Sequence, residues 1–214
     1  MREAALRLAL ERGVDNVRVE DIAGAAGVAP RTYNNYFSSR EQAIVAAVTA
    51  EREAQVAAAV AAQPPSTPLA DAIAEAIVAQ YTSPGGRDRA VLLLITTRPA
   101  LRNAFLGTAA EIEHPLTAAI AGRLGDTEHT TAQVLAASVA AAVRIALERW
   151  LRPAAAAPAA SGLVVPSGSL PELLRTALAP LTPAIQAAER RPPDPGSSRP
   201  RRAGGGRQRP GRAA

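Results

Sequence analysis

The fold is decided by residues 19–41, which read VEDIAGAAGVAPRTYNNYFSSRE. Apolar residues recur in this stretch at the spacing of one buried helix face, at Val19, Ile22, Ala23 and Ala26. Gly27 then breaks the helix. Pro30 suits the first residue of a new helix, because its missing N–H would have no helical partner there. The pattern predicts two short helices joined by a turn.

The second short helix has an unusual surface. Tyr33 and Phe37 lie one turn apart and are predicted to face inward, which leaves a polar outer face made of Arg31, Thr32, Asn34, Asn35 and Tyr36. Side chains of these types can bind base edges and phosphates in a DNA major groove. The alternative is a helical corner with an ordinary solvated face.

The polar residues divide into two predicted roles. Arginine suits guanine and asparagine suits adenine, so we assign base readout to Arg31, Thr32, Asn34 and Asn35. Most protein–DNA hydrogen bonds go to the backbone and position the protein without specifying sequence. We assign phosphate contacts to Arg18, Tyr36, Ser39 and Arg40.

Helices flank this stretch on both sides. A first helix is predicted over residues 2–12, with its inward residues at Ala5, Leu6, Ala9 and Leu10. Ser39 and Gln42 form the S-x-x-Q pattern of a capping box, which opens a long helix to about residue 60.

The rest of the chain before its tail is also predicted to be helical, since no strand-like alternation appears. The expected helices are 68–81, 87–97, 99–124, 127–151 and 170–187, the last interrupted at Pro180. Residues 153–168 are predicted to form a linker. The helix at 127–151 is apolar on most sides, so it should be buried by its own domain and by a partner subunit.

Charge is distributed unevenly along the chain, whose formal net charge is +5. Residues 190–214 hold eight Arg and one Asp, a balance of +7, and the preceding residues balance at −2. This tail has no apolar periodicity and is predicted to be disordered. It either adds sequence-independent DNA affinity through counterion release or is a solvated low-complexity end.

Catalytic and metal sites are not predicted. The chain has no cysteine, and its two histidines have no ligand spacing of the usual kinds. Neither a signal peptide nor a membrane span is apparent, so a cytoplasmic protein without membrane contact is expected. An effector pocket is predicted from the scarce large or polar side chains of the later helices, Tyr81, Arg98, Phe105, His114 and Trp150. A lone His is also compatible with a surface position.

Residues 5–44, ALRLALERGVDNVRVEDIAGAAGVAPRTYNNYFSSREQAI, resemble the N-terminal DNA-binding domain of the TetR family of bacterial regulators. The markers are ERG at the end of the first helix, VEDIA-x-x-AGV, the T-x-x-x-Y-F helix and the S-R-E start of the next. Three departures are Asn34 in place of an aromatic residue, Arg40 in place of Lys and Ala29 in place of a capping Ser. Family members usually carry a basic arm before the first helix, so we expect either that this protein lacks the arm or that its true start lies upstream.

The resemblance implies an all-α protein with a three-helix helix-turn-helix domain at residues 1–45. A long helix would join it to a helical ligand-binding and dimerisation domain at 46–189, followed by the tail at 190–214. It implies a homodimer on a palindromic double-stranded DNA operator, acting as a repressor that responds to a small apolar or amphipathic effector, without a cofactor. The remaining alternatives are a helical interaction module that does not bind DNA, and a helical enzyme or carrier of apolar ligands.

Overall fold

Every regular element in the described part of the chain is a helix, which confirms the all-α prediction. The computed structural model describes residues 1–49, 52–82, 94–152 and 169–191. The N-terminal helices are α1 (Arg2–Arg12), α2 (Val19–Ala25), α3 (Pro30–Asn34) and α4 (Arg40–Thr49). The later helices are α5 (Arg52–Ala62), α6 (Leu69–Thr82), α7 (Pro99–Gly107), α8 (Glu113–Leu124), α9 (Thr130–Trp150), α10 (Leu170–Leu178) and α11 (Thr182–Glu189). Short 3₁₀ turns lie at Val14–Asn16, Thr108–Ile112 and Ala179–Leu181.

The first four helices share a core in which α1 packs across α4 and α2 packs against α3. Its fully buried side chains include Ala5, Ile22, Ala23, Tyr33 and Ile44. One prediction here is wrong: Leu10 is 48% exposed, and Leu8 is buried in its place. The buried face of α1 runs through residues 5, 6, 8 and 9, and Leu10 lies just beyond the edge of that face, one turn after Leu6.

The predicted long helix appears as two described helices, α4 and α5. Residues 50 and 51, which would join them, lie outside the described residues, so the continuity of this helix remains a prediction. The two helices have different neighbours. Helix α4 packs on α1 and α7, whereas α5 packs on α6 and α8.

Helix α9 is central to the later part of the chain. It packs against α8 on one side and α10 on another, and α10 and α11 also contact α6. By length and composition α9 alone among the described helices is apolar enough to cross a membrane, but half of its apolar window is buried. Residues such as Leu135, Val139, Val143 and Leu147 point into the core. This is the pattern of a core helix.

Glu189, near the end of the described chain, holds the last helix against the start of α6. Its carboxylate accepts hydrogen bonds from the backbone N–H of Leu69 at 3.1 and 3.3 Å. Arg123 lies 3.9 Å from the same carboxylate and donates to the carbonyl oxygen of Thr67 at 2.7 Å. These bonds join the ends of α8 and α11 to the loop before α6.

Some predicted segments fall outside the described residues. They are the linker at 153–168, the tail from 192 onward and most of the helix predicted at 87–97, of which 94–97 are described and helical. Pro180 interrupts the last predicted helix as expected, since it lies in the 3₁₀ turn between α10 and α11.

Candidate nucleic-acid interface and effector site

Helix α3 is short and begins without a side-chain cap. Pro30 occupies its first turn, and Ala29 precedes it in an extended conformation with φ −71° and ψ 149°. The turn before it depends on Gly27, whose φ of +68° is unfavourable for other residues. The local sequence therefore fixes the direction of α3, but an alanine stands where a hydroxyl would bind a free N–H.

Tyr33 anchors α3 to the core. Its side chain is fully buried, its ring lies 5.4 Å from that of Phe37, and its hydroxyl donates to the carbonyl oxygen of Ser39 at 3.0 Å. Burial, with a smaller contribution from the negative charge of Glu41, raises the pKa of Tyr33 to about 12. The neutral phenol thus ties α3 to the residue that precedes α4.

The opposite side of α3 forms a continuous exposed surface, which we call the reader face. All of its members are exposed, and Tyr36 is 67% exposed. The reader face consists of the predicted residues Arg31, Thr32, Asn34, Asn35 and Tyr36. Arg31, Thr32 and Asn34 belong to α3, Asn35 and Tyr36 directly follow it, and all five side chains lie outside the core.

Arg18 and Ser39 lie at the starts of the helices on either side of α3. Arg18 is exposed, and its backbone N–H donates to the Asp21 carboxylate at 2.9 Å. The hydroxyl oxygen of Ser39 accepts the N–H of Gln42 at 3.1 Å. The Gln42 amide oxygen accepts from the N–H of Ser38 at 2.7 Å, one residue earlier than in the predicted box. Ser39 therefore caps the first turn of α4, and the side chain of Gln42 binds back to the backbone just before it.

Arg40 has intramolecular partners. Its Nε donates to Glu41 at 2.8 Å, and its Nη1 donates to the carbonyl oxygen of Val17 at 2.9 Å. These bonds join the start of α4 to the segment before α2. A phosphate contact by Arg40 therefore has to coexist with these bonds or replace them.

Two residues predicted to line an effector pocket are exposed. Arg98 is exposed and forms an ion pair with Asp15, in the turn between α1 and α2. His114 is exposed in the first turn of α8. Both were selected for residue rarity and not for a place on a buried helix face, and their role in an effector pocket stays a prediction. Trp150 is half-buried at the end of α9 and packs against the core.

Tyr81 and Phe105 are brought together by a residue that the sequence analysis missed. The guanidinium carbon of Arg52 lies 4.5 Å from the ring centroid of Tyr81 and 5.8 Å from that of Phe105. A signal was present in the sequence: Arg52 stands four and eight residues before Val56 and Val60, the buried residues of α5. An arginine in line with the apolar face of a helix indicates that its side chain points toward the core.

Two carboxylates lie close to this aromatic pair. Burial raises the pKa of Glu53, against opposing effects that include the charge of Arg52. Burial and then the charge of Glu53 raise the pKa of Glu111. Burial also raises the pKa of Tyr81 to about 12. The described residues contain no group of three or more potential metal ligands.

A cleft separates the α4 start from α7. Its volume is about 410 Å³, and its polar lining comes from Ser38, Ser39, Glu41 and Gln42 on one side and Glu111 on the other. The apolar lining is provided by α7. The first four helices and the later helices therefore meet across a surface that is only partly closed.

Comparison with known proteins matches the N-terminal part of the chain. Residues 2–47 match the family model described as bacterial regulatory proteins, tetR family. A curated relative, the HTH-type transcriptional regulator TcmR of Streptomyces glaucescens, is 29% identical over 134 residues. That match covers 56% of this chain and 57% of the relative, so the chain spans little more than half of that protein's length.

Proposed function

We propose that the chain is a TetR-family transcription regulator that reads a specific DNA operator, because its N-terminal residues 2–47 match the model of that family. The observation that carries the proposal is the reader face, which is polar, exposed and opposite a buried Tyr33. Helix α3 enters the major groove and presents Arg31 to guanine and Asn34 or Asn35 to adenine. The protein acts in the cytoplasm.

Phosphate contacts hold the domain on the duplex. Tyr36 of the reader face, Arg18 before α2 and Ser39 before α4 supply donors to the DNA backbone. Arg40 has the charge for the same role, although its bonds to Val17 and Glu41 also make it a positioning residue for α4. Its loss is therefore expected to weaken binding to all sequences alike.

The regulator acts as a homodimer. Val134 and Ile145 are 61% and 42% exposed on α9, and they lie eleven residues apart, so they share one helix face. Large apolar side chains exposed along one helix favour a partner surface. A two-fold dimer formed by α9 and α10 would present two reader faces to a roughly palindromic operator.

An effector in the later helices would control DNA binding through contacts between the two parts of the chain. Helix α7 packs on α4, and Arg98 pairs with Asp15. A small molecule that favours one arrangement of α7 would move α4 and, with it, the reader face. Only a difference in effector affinity between the two arrangements produces this response, typically about 1–3 kcal/mol. We propose that the response releases DNA, as expected of a repressor.

The experiment selects bound fragments from the DNA flanking the gene and measures their affinity for the purified full chain at two salt concentrations. Arg31→Ala is expected to weaken operator binding by about 1–3 kcal/mol and to relax one base position. Arg12→Ala, at an exposed arginine of α1 to which no DNA contact is assigned, is the matched control and should bind like the parent.

A second function, a helical interaction module that does not bind DNA, is favoured by the uncapped start of α3 at Ala29. Removal of residues 192–214 distinguishes the two. Sequence-selective binding that survives the deletion supports the regulator. Binding that is weak, steeply dependent on salt and lost with the Arg-rich tail contradicts it.

A further inference from the structure

Arg52 occupies a position that a packed helix rarely gives to a charged residue. It lies in line with Val56 and Val60, which are both fully buried, and its guanidinium lies over the rings of Tyr81 and Phe105. Tyr81 is 9% exposed and Phe105 is 7% exposed. Cation–π contact with two buried rings fixes the plane and position of the guanidinium.

One donor nitrogen of this guanidinium is left without a partner. The Nη1 atom of Arg52 is buried and has no hydrogen-bond partner in the described part of the chain. Removing a charged donor from water without an acceptor is unfavourable, so such an atom marks a place where an acceptor is missing. A ring face offers no lone pair, and the side-chain hydrogen bond between Arg52 and Tyr81, which acts to lower the pKa of Tyr81, does not involve Nη1.

The acids in the described part of the chain do not bind this nitrogen. Glu53 is close enough for its charge to interact with that of Arg52, but no described carboxylate forms an ion pair with Arg52. Burial already disfavours the charged forms of Glu53 and Glu111. An external carboxylate presents two oxygens in the geometry that a guanidinium binds best.

We propose that Arg52 is the anchor for the carboxylate of the effector, whose apolar part lies against Tyr81 and Phe105. The inference rests on the proposed effector response and narrows the effector to a hydrophobic carboxylate. Phe105 belongs to α7, the helix that packs on α4. A ligand bound here therefore touches the element that contacts the DNA-binding domain.

The test compares carboxylates with their neutral amides on the full chain. Benzoate and octanoate are titrated beside benzamide and octanamide by calorimetry. At least one carboxylate is expected to bind about tenfold or more tightly than its amide, because only the carboxylate makes a charge-assisted bidentate contact. Arg52→Met, which keeps an unbranched side chain without charge, should abolish this preference. Arg12→Met, at an exposed arginine of α1, should leave it unchanged.

Arg52→Lys provides a second variant if Arg52→Met fails to fold. A lysine keeps the charge but lacks the planar fork, so the preference should fall without disappearing. Two results would overturn the inference: neither carboxylate binds the parent better than its amide, or Arg52→Met keeps the preference. Operator binding in the absence of any small molecule tests the proposed function separately. A chain that binds its operator without preferring carboxylates would refute only the role of Arg52.

Discussion

Replacing Ala29 by Ser should stabilise the DNA-binding domain. Ala29 already has the extended conformation of a residue that precedes a helix, so a serine hydroxyl can accept the N–H of Thr32 without a change of backbone. The first α3 backbone bond runs from the N–H of Tyr33 to the carbonyl of Ala29, which leaves the preceding N–H groups for such a cap. Position 29 is exposed, so the added oxygen meets no steric barrier.

The expected gain in the free energy of unfolding is about 0.5–2 kcal/mol. For a chain of this size each kcal/mol raises Tm by about 2–4 °C. Urea unfolding followed by circular dichroism, together with a thermal melt, measures both quantities. Ala58→Ser is the control, because position 58 is exposed inside α5, where serine lowers helix propensity and cannot cap.

The reasoning fails if Ala29→Ser is no more stable than the parent, or if Ala58→Ser gains as much. A gain in stability that also raises operator affinity would indicate that the uncapped α3 is partly disordered in the free protein. A gain in stability alone would indicate that α3 is already formed before it meets DNA.

Three further predictions concern contacts between distant parts of the chain and the buried phenol. The Asp15–Arg98 pair is exposed, so a double-mutant cycle with Asp15→Asn and Arg98→Gln should give a coupling energy of about 0.2–1 kcal/mol, and a larger value would contradict a surface pair. Glu189→Ala removes the acceptor for the N–H of Leu69 and should cost about 0.5–2 kcal/mol in urea unfolding, whereas replacing the exposed Glu172 of α10 by Ala should cost less. Tyr33→Phe should lose about 0.5–1.5 kcal/mol at pH 8, which urea unfolding measures. The pKa of Tyr33 in the folded protein, about 12, lies above its ordinary value of 10. The parent therefore keeps the contribution of this phenol to stability below pH 10 and loses it as the pH rises through 12. Equal slopes of the unfolding free energy against pH for parent and variant between pH 9 and 11.5 would contradict this.

The helix-turn-helix was predictable from sequence because its signals are local. Gly27 and Pro30 fix the turn and the new helix through their own backbone preferences, and Tyr33 and Phe37 are aromatic residues one turn apart. Leu10 was misplaced because an alanine-rich helix gives little contrast between its faces. Leucines at positions 6, 8 and 10 satisfy more than one choice of buried side.

The effector region was harder to predict because its chemistry depends on contacts across long sequence separations. Arg98 and His114 were selected for being rare, and the structure places both at the surface. Arg52 was passed over, although its alignment with Val56 and Val60 was visible. The rings that surround it come from α6 and α7, and no periodicity in α5 reveals them.

The hydrogen bond between Leu69 and Glu189 also bears on which helices can fold first while the chain is being synthesised. The core of α1 to α4 uses residues up to 49. The loop before α6, by contrast, forms its hydrogen bond only with the carboxylate of Glu189, which lies 120 residues later in the chain. At about 5–20 residues per second, the ribosome reaches Glu189 roughly 7–28 s after residue 49. A nascent chain therefore holds a finished reader face well before the helices proposed to control it have closed.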